Sequence, residues 1–216
     1  ITKGVSFDSD SYVTAGQCAR ILYNMYDIKV LSSMLSEKEK IEKLDKTILD
    51  LMNIEKVVGV VSQTEYSSLY SSDSAKEGRA TIAGVNVLCG DVDVKNMLGY
   101  NVRAYIDKTD EDDDPVVCYA KEYRQEVKQV SLRDINTQKD FFSQKGIVYD
   151  KNGRTSTLKL DETFSFIYNG KYSDKRDMDL LKNGSGQLIA IDNNDDGRYD
   201  VVLVEKASDC VVDTVN

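Results

Sequence analysis

Oxygen-bearing side chains alternate along the stretch Asp192-Asn193-Asn194-Asp195-Asp196-Gly197-Arg198-Tyr199-Asp200. Asp192, Asn194, Asp196 and Asp200 fit a D-x-[DN]-x-D-G-x-x-D pattern, in which alternate ligands let a short loop wrap a hard cation. Gly197 permits the bend and Arg198 can offer a backbone carbonyl. The candidate metal set is therefore Asp192, Asn194, Asp196, Arg198 and Asp200, and the cation it suits is Ca2+. The twelfth position, where a helix–loop–helix calcium site carries a bidentate Glu, is Leu203. The flanking segments 188–191 and 199–204 read as strands. The pattern is thus closer to calcium loops of β-rich extracellular proteins than to a helix-flanked sensor, and its plain alternative is an acidic hairpin turn without metal. A second acidic stretch, 107–115, holds five Asp and one Glu ahead of the only proline. It reads as a solvated hairpin tip or a weak cation site.

The other chemistries are narrowed by what is missing. With no His and no Trp, the chain cannot build a His-based zinc hydrolase, a Ser-His-Asp triad or a Cys-His nucleophile. Among 37 acidic residues no glycosidase pair stands out, although a carboxylate-only or Lys-based mechanism stays open. Gly184-Ser185-Gly186 lacks the Lys and helix of a phosphate loop. The net charge of -9 argues against nucleic acid, which needs a basic face to displace counterions. Cys18, Cys89, Cys118 and Cys210 are far apart and form no CxxC pair; they read as buried free thiols, with one or two disulfides as the alternative. The 13 Tyr could stack on sugars if exposed, or lie half-buried on strands. The expectation is a protein with no catalytic site.

The elements that must hold these residues follow from periodicity. Thr14 caps a helix over 15–27, with Gln17 three residues on as in a capping box and Cys18, Ile21, Leu22, Met25 and Tyr26 as one apolar stripe. Residues 36–53 keep helical spacing through Ile41, Leu44, Ile48 and Leu51, and Thr47 with Asp50 marks a second helix start. From 57 the pattern becomes β: strands are expected at 57–61, 80–88, 100–106, 116–120, 146–150, 156–160, 164–168, 187–191 and 199–204, with turns at Lys151-Asn152-Gly153 and Asn169-Gly170. The helix-to-sheet change is expected near 55–58. No apolar run approaches the ~18 residues of a membrane span. The fold class is α+β, predominantly β: an N-terminal helical segment, then two small antiparallel β-barrel or sandwich-like domains.

Ile1-Thr2-Lys3-Gly4-Val5, then Phe7-Asp8, then Val13-Thr14 opening a helix that reaches Leu22-Tyr23-Asn24, resembles the second half of an S-layer homology module. The remainder resembles the long regions attached to such modules in clostridia-like surface proteins, through 57–61, 97–100, 166–171, 188–192 and 199–202. The resemblance implies a partial module at 1–30, a helical connector at 31–56, a first β domain at 57–135 and a second at 136–216. It also implies an extracellular, cell-wall-associated location and a piece of a longer protein. Where the family has Thr-Arg-Ala-Glu, this chain has Thr14-Ala15-Gly16-Gln17. Ala15 cannot make the charge-assisted bond by which that Arg helps hold an anionic wall polysaccharide. Wall binding is then expected through modules outside this chain, and self-association or contact with sibling surface proteins, strengthened by salt or calcium, within it.

Three functions fit: a non-catalytic structural or adhesive module of a bacterial surface protein, a carbohydrate-binding accessory region of an envelope-attached hydrolase, and a self-assembling array or filament subunit. Exposed tyrosines lining one groove would favour the second. An exposed apolar patch or an open strand edge would favour the third.

Overall fold

The computed structural model of the chain describes residues 3–6, 12–35, 40–109, 114–137, 146–174, 178–182 and 185–207, with side chains given outside 32–43. The first element, α1 (Ala15–Met25), starts as expected: Thr14 Oγ1 accepts from the Gln17 N–H at 3.2 Å, and the Thr14 N–H donates to Gln17 Oε1 at 2.8 Å. No residue of α1 is buried, so its apolar stripe is not packed into a core.

The next segment differs from the helical connector expected at 31–56. Strands β1 (Lys29–Leu35) and β2 (Lys40–Thr47) pair antiparallel, with Met34 opposite Ile41 and Leu35 opposite Lys40. Only one helical turn, α2 (Ile48–Leu51), remains, capped by Thr47 with Asp50 as the sequence suggests. The charged stretch can satisfy a helical stripe or an alternating strand. The partner strand from Lys29 onward decides between them, because tertiary pairing outweighs propensity differences of a few tenths of a kcal/mol. The change to β-structure therefore comes at Lys29, not at 55–58.

The first β unit is a closed five-stranded barrel: β3 (Ile54–Thr64), β4 (Arg79–Ile82), β5 (Val85–Leu88), β6 (Asn101–Asp107) and β7 (Val116–Glu122), in the spatial order β3-β4-β5-β7-β6. The single strand expected at 80–88 is a hairpin, because Ala83 and Gly84 both adopt positive φ, 50° and 80°, and turn the chain between β4 and β5. Alternation on β6 sends Val102, Ala104 and Ile106 inward, where they meet Val61, Ile82, Val87 and Val94, all without exposure. The other set, Arg103 and Tyr105, therefore faces out.

Strands β8 (Glu126–Ser131), β9 (Gly146–Lys151), β10 (Arg154–Tyr168), β11 (Lys171–Tyr172), β12 (Ser185–Asp192) and β13 (Tyr199–Ala207) form the second unit, in the order β11-β10-β13-β12-β8 with β9 on β10. The two strands expected at 156–160 and 164–168 are one long strand. Its first half pairs with β9 and its second half with β13, in parallel, after a register shift between Leu160 and Ser165. Strand β8 hydrogen-bonds to β12, so the sheets divide at 123–125, not at the expected 135/136. Phe166, Ile147, Leu188 and Val202 are fully buried in this unit's core. A third cluster of Leu69, Leu98, Ile167, Ile191 and Val201 joins the barrel to the sheet. Among the described residues no helix is long and apolar enough to cross a membrane.

Tyr199 ties β13 to β8 by donating its hydroxyl to Glu126 Oε1 at 3.1 Å. Burial pushes its phenol from 10.0 up to about 12, with the hydrogen bond to Glu126 adding to the shift. The folded state thus holds the proton more tightly than the unfolded one. This contribution is whole below pH 10 and lost as pH rises toward 12, up to about 2–3 kcal/mol at ~1.4 kcal/mol per unit. Urea unfolding between pH 9 and 11.5 should show stability falling less steeply in Tyr199→Phe than in the parent. Parallel slopes would count against it.

Candidate functional site

The acidic loop lies where the sequence places it, between antiparallel β12 and β13. Asp192, only 2% exposed, organises it: Oδ1 accepts the Asp195 N–H at 2.7 Å and the Asp196 N–H at 3.3 Å, and Oδ2 accepts the Gly197 N–H at 2.8 Å. Asp200 accepts from the Asn193 N–H at 2.9 Å and from Asn194 Nδ2 at 3.2 Å, while Asp196 Oδ1 accepts the Arg198 N–H at 2.8 Å. The five candidate ligands are thus brought into one loop, but their carboxylates point at backbone donors. Among the described residues no three acidic or thiol groups converge in a metal-binding arrangement. Burial raises the pKa of Asp200, and the charges of Asp192, Asp196 and Asp161 add to this against the Asn193 N–H. In the other acidic stretch, 110–113 lie outside the described residues, and Asp114 pairs with Arg79.

The thiols differ from the expectation of uniform burial. Cys89 is buried, and that burial raises its pKa, whereas Cys18 and Cys118 are exposed free thiols; Cys210 lies outside the described residues. Cys118 is outside because it is the extra residue of a β-bulge: Tyr105 pairs with Tyr119 and Ile106 with Val117, skipping it.

That bulge helps to build the larger feature of the molecule. A groove of about 610 Å3 runs between α1, α2 and the outer face of β6 and β7. Five tyrosines line it: Tyr23 and Tyr26 from the helix end, Tyr105, Tyr119 and Tyr123 from the barrel. Antiparallel register sets Arg103-Ala104-Tyr105 against Tyr119-Ala120-Lys121, so tyrosine faces tyrosine and Arg103 faces Lys121. Ring centroids of Tyr26 and Tyr105 are 6.3 Å apart, and those of Tyr105 and Tyr119 6.2 Å, both pairs tilted. Arg103 stacks over Tyr123 at 4.0 Å and donates from Nη1 to Tyr23 Oη at 3.2 Å. Leu49, Met52 and Ile54 close the apolar wall. The helical side is fastened by Lys56 Nζ on both carboxylate oxygens of Asp27, at 2.8 and 2.9 Å.

The sequence places Tyr26 on the apolar stripe of the first helix and Tyr23 in the module-like segment, but it assigns none of these residues to a groove. The signal was the pair of mirrored triplets, each with a small inward Ala between two large outward residues. The arrangement offers aromatic edges and faces, phenol hydroxyls and cationic donors at the mouth of an apolar trough, which is chemistry for binding. Comparison with known protein families, with curated proteins and with solved structures finds no match for this chain.

Proposed function

We propose that the chain is a non-catalytic adhesive module of a bacterial surface protein, and that it binds a saccharide in the tyrosine groove. The observation that carries this reading is the gathering of five of the 13 tyrosines on one groove. Sugar rings present apolar C–H faces ringed by hydroxyls, and Tyr offers an apolar ring with a polar tip in return. Tyr119 is 50% exposed and Tyr23 47% exposed, so neither ring is consumed by a core. The surface location rests on the resemblance of the N-terminal residues to an S-layer homology module. The groove then supplies recognition that the Thr14-Ala15-Gly16-Gln17 helix start, lacking the Arg, does not. The absence of His from the chain removes the side chain most often used as a general base near neutral pH, which favours binding over turnover.

The test is calorimetric titration of the whole chain with a panel of bacterial wall oligosaccharides, alongside Tyr105→Ala and Tyr119→Ala. Each substitution should weaken binding several-fold to about tenfold, in line with about 0.5–1.5 kcal/mol per aromatic contact beyond area burial. Tyr70→Ala, at a tyrosine 70% exposed and outside the groove lining, should change nothing. A panel without a binder, or equal losses at Tyr70 and Tyr105, would return the chain to the role of passive spacer.

A further inference from the structure

The groove is cationic in a protein that is not. Arg103 and Lys121 line it, Arg124 stands over the Tyr123 ring at 5.2 Å, and Arg20 over the Tyr23 ring at 5.9 Å. Among the described residues none of these four cations makes an ion pair with a carboxylate. The whole chain carries 37 acidic residues against 28 basic ones, so acidic neighbours are plentiful elsewhere. Glu122 is the one carboxylate of the described lining, and it accepts from Gln125 Nε2 at 3.1 Å.

The register sharpens the point. Arg103 and Lys121 are direct cross-strand partners on β6 and β7, and like charges placed opposite one another destabilise a sheet by some tenths of a kcal/mol. The Tyr123 face offsets part of that repulsion for Arg103 through the ring quadrupole. The Nε of Arg103 nevertheless stays buried with no hydrogen-bond acceptor, a condition with its own desolvation cost. Two facing cations beside stacking rings fit a group that brings a negative charge next to an apolar ring. Arg103 lines the groove, and a planar guanidinium suits a carboxylate or another oxyanion.

We propose that the saccharide of the groove is an acidic one, its acid group seated on Arg103 and Lys121 while its rings lie against Tyr105 and Tyr119. This rests on the saccharide reading above. The net charge of -9 opposes a long polyanion such as a nucleic acid, with one charge per nucleotide, more than a short acidic oligosaccharide with few charges in all.

The experiment titrates the full chain at low salt with α-1,4-trigalacturonate and with a hyaluronan tetrasaccharide, each beside its methyl-esterified, uncharged form, and with (dT)4. The acidic forms should bind at least tenfold more tightly than the esters, and that preference should shrink as salt rises. Lys121→Gln, at an exposed position, should cut the preference several-fold without lowering the melting temperature, since it also relieves the like-charge pairing with Arg103. Arg103→Lys should keep the charge and lose part of the affinity, because it loses the fork. Binding of esters and acids with equal affinity would overturn the acidic assignment and leave the saccharide reading standing. Tighter binding of (dT)4 than of either acid would overturn it in favour of a single-stranded nucleic acid. If neither acids nor esters bind, the acidic assignment falls, and the wall-oligosaccharide panel decides the saccharide reading separately.

Discussion

Replacing Asp192 with Ala is expected to cost about 4 kcal/mol of stability, the largest loss predicted for any single side chain of the acidic loop. Asp192 is almost wholly buried, and its two oxygens accept three backbone N–H groups of the loop it opens. Hydrogen bonds to a charged group are worth about 1.5–3 kcal/mol, and each buried donor left without an acceptor costs about 1–3 kcal/mol more. The sum exceeds the figure given because the loop can relax and admit water. For a chain of this size the melting temperature should fall by on the order of 10 °C. Asp192→Asn should lose about half as much. One amide oxygen can keep the bonds from Asp195 and Asp196, but the amide nitrogen would then confront the Gly197 N–H. A loss under 1 kcal/mol for Asp192→Ala would show that the loop does not depend on this carboxylate.

The same variants test the calcium expectation. Asp200 has its pKa raised by burial and by the neighbouring carboxylates, so its ionised form is disfavoured in the fold. Its contribution is present in acid and lost as pH rises through its folded pKa. A bound cation would reverse that sign by neutralising the neighbours. A calcium-dependent rise in melting temperature at neutral pH, present in the parent and abolished in Asp192→Asn, would establish the ion at this loop. Equal responses would leave a self-capped acidic turn.

This loop was legible in the sequence because all of its logic is local: the ligands, the glycine and the strand flanks lie within a dozen residues. The Thr14–Gln17 and Thr47–Asp50 caps were legible for the same reason. The hairpin within 80–88 was not, since its first turn residue is Ala83, which rarely adopts the φ of 50° it has here. Strand β8 escaped notice because only Val130 of its six residues is buried, which leaves a weak alternating signal. The helical reading failed over 40–47, while the helix start at Thr47 held: charges and apolar residues at that spacing suit either period, and β1 is the deciding contact. The groove was beyond reach on different grounds. Its tyrosines come from α1 and the residue that caps it, and from β6, β7 and the residue after β7; the facing of the two strands depends on a bulge at Cys118, and a shift of one residue would turn Tyr119 and Lys121 to the other face. Register is a property of the pair, so neither triplet alone announces the site.

Gly99→Ala should be nearly as costly as Asp192→Ala, at about 3 kcal/mol, and it probes the joint between the two β units. Gly99 has φ 85°, where a Cβ meets the backbone at a cost of about 1–2 kcal/mol. That Cβ would also stand 2.9 Å from Val201 Cγ1 and 3.3 Å from Val201 Cβ. Val201 is 1% exposed in the cluster with Leu69, Leu98, Ile167 and Ile191, so overpacking there costs a further ~1–3 kcal/mol. The backbone of Gly99 is committed as well: its N–H donates to Val61 O at 2.9 Å in the barrel, and its carbonyl accepts from Asn193 Nδ2 at 3.2 Å in the acidic loop. Neither bond can be kept if the chain shifts to relieve the clash. Val201→Ala in the same molecule should recover the packing part and leave the φ part, giving a favourable coupling of at least about 1 kcal/mol in a double-mutant cycle. Because the shared cluster links barrel and sheet, the parent should unfold in one transition by fluorescence and by circular dichroism. Gly99→Ala should lower that midpoint or split it in two. A parent that already unfolds in two separate steps, or a Gly99→Ala variant within 0.5 kcal/mol of it, would show that the two units stand independently and that the groove and the acidic loop are not held by one core.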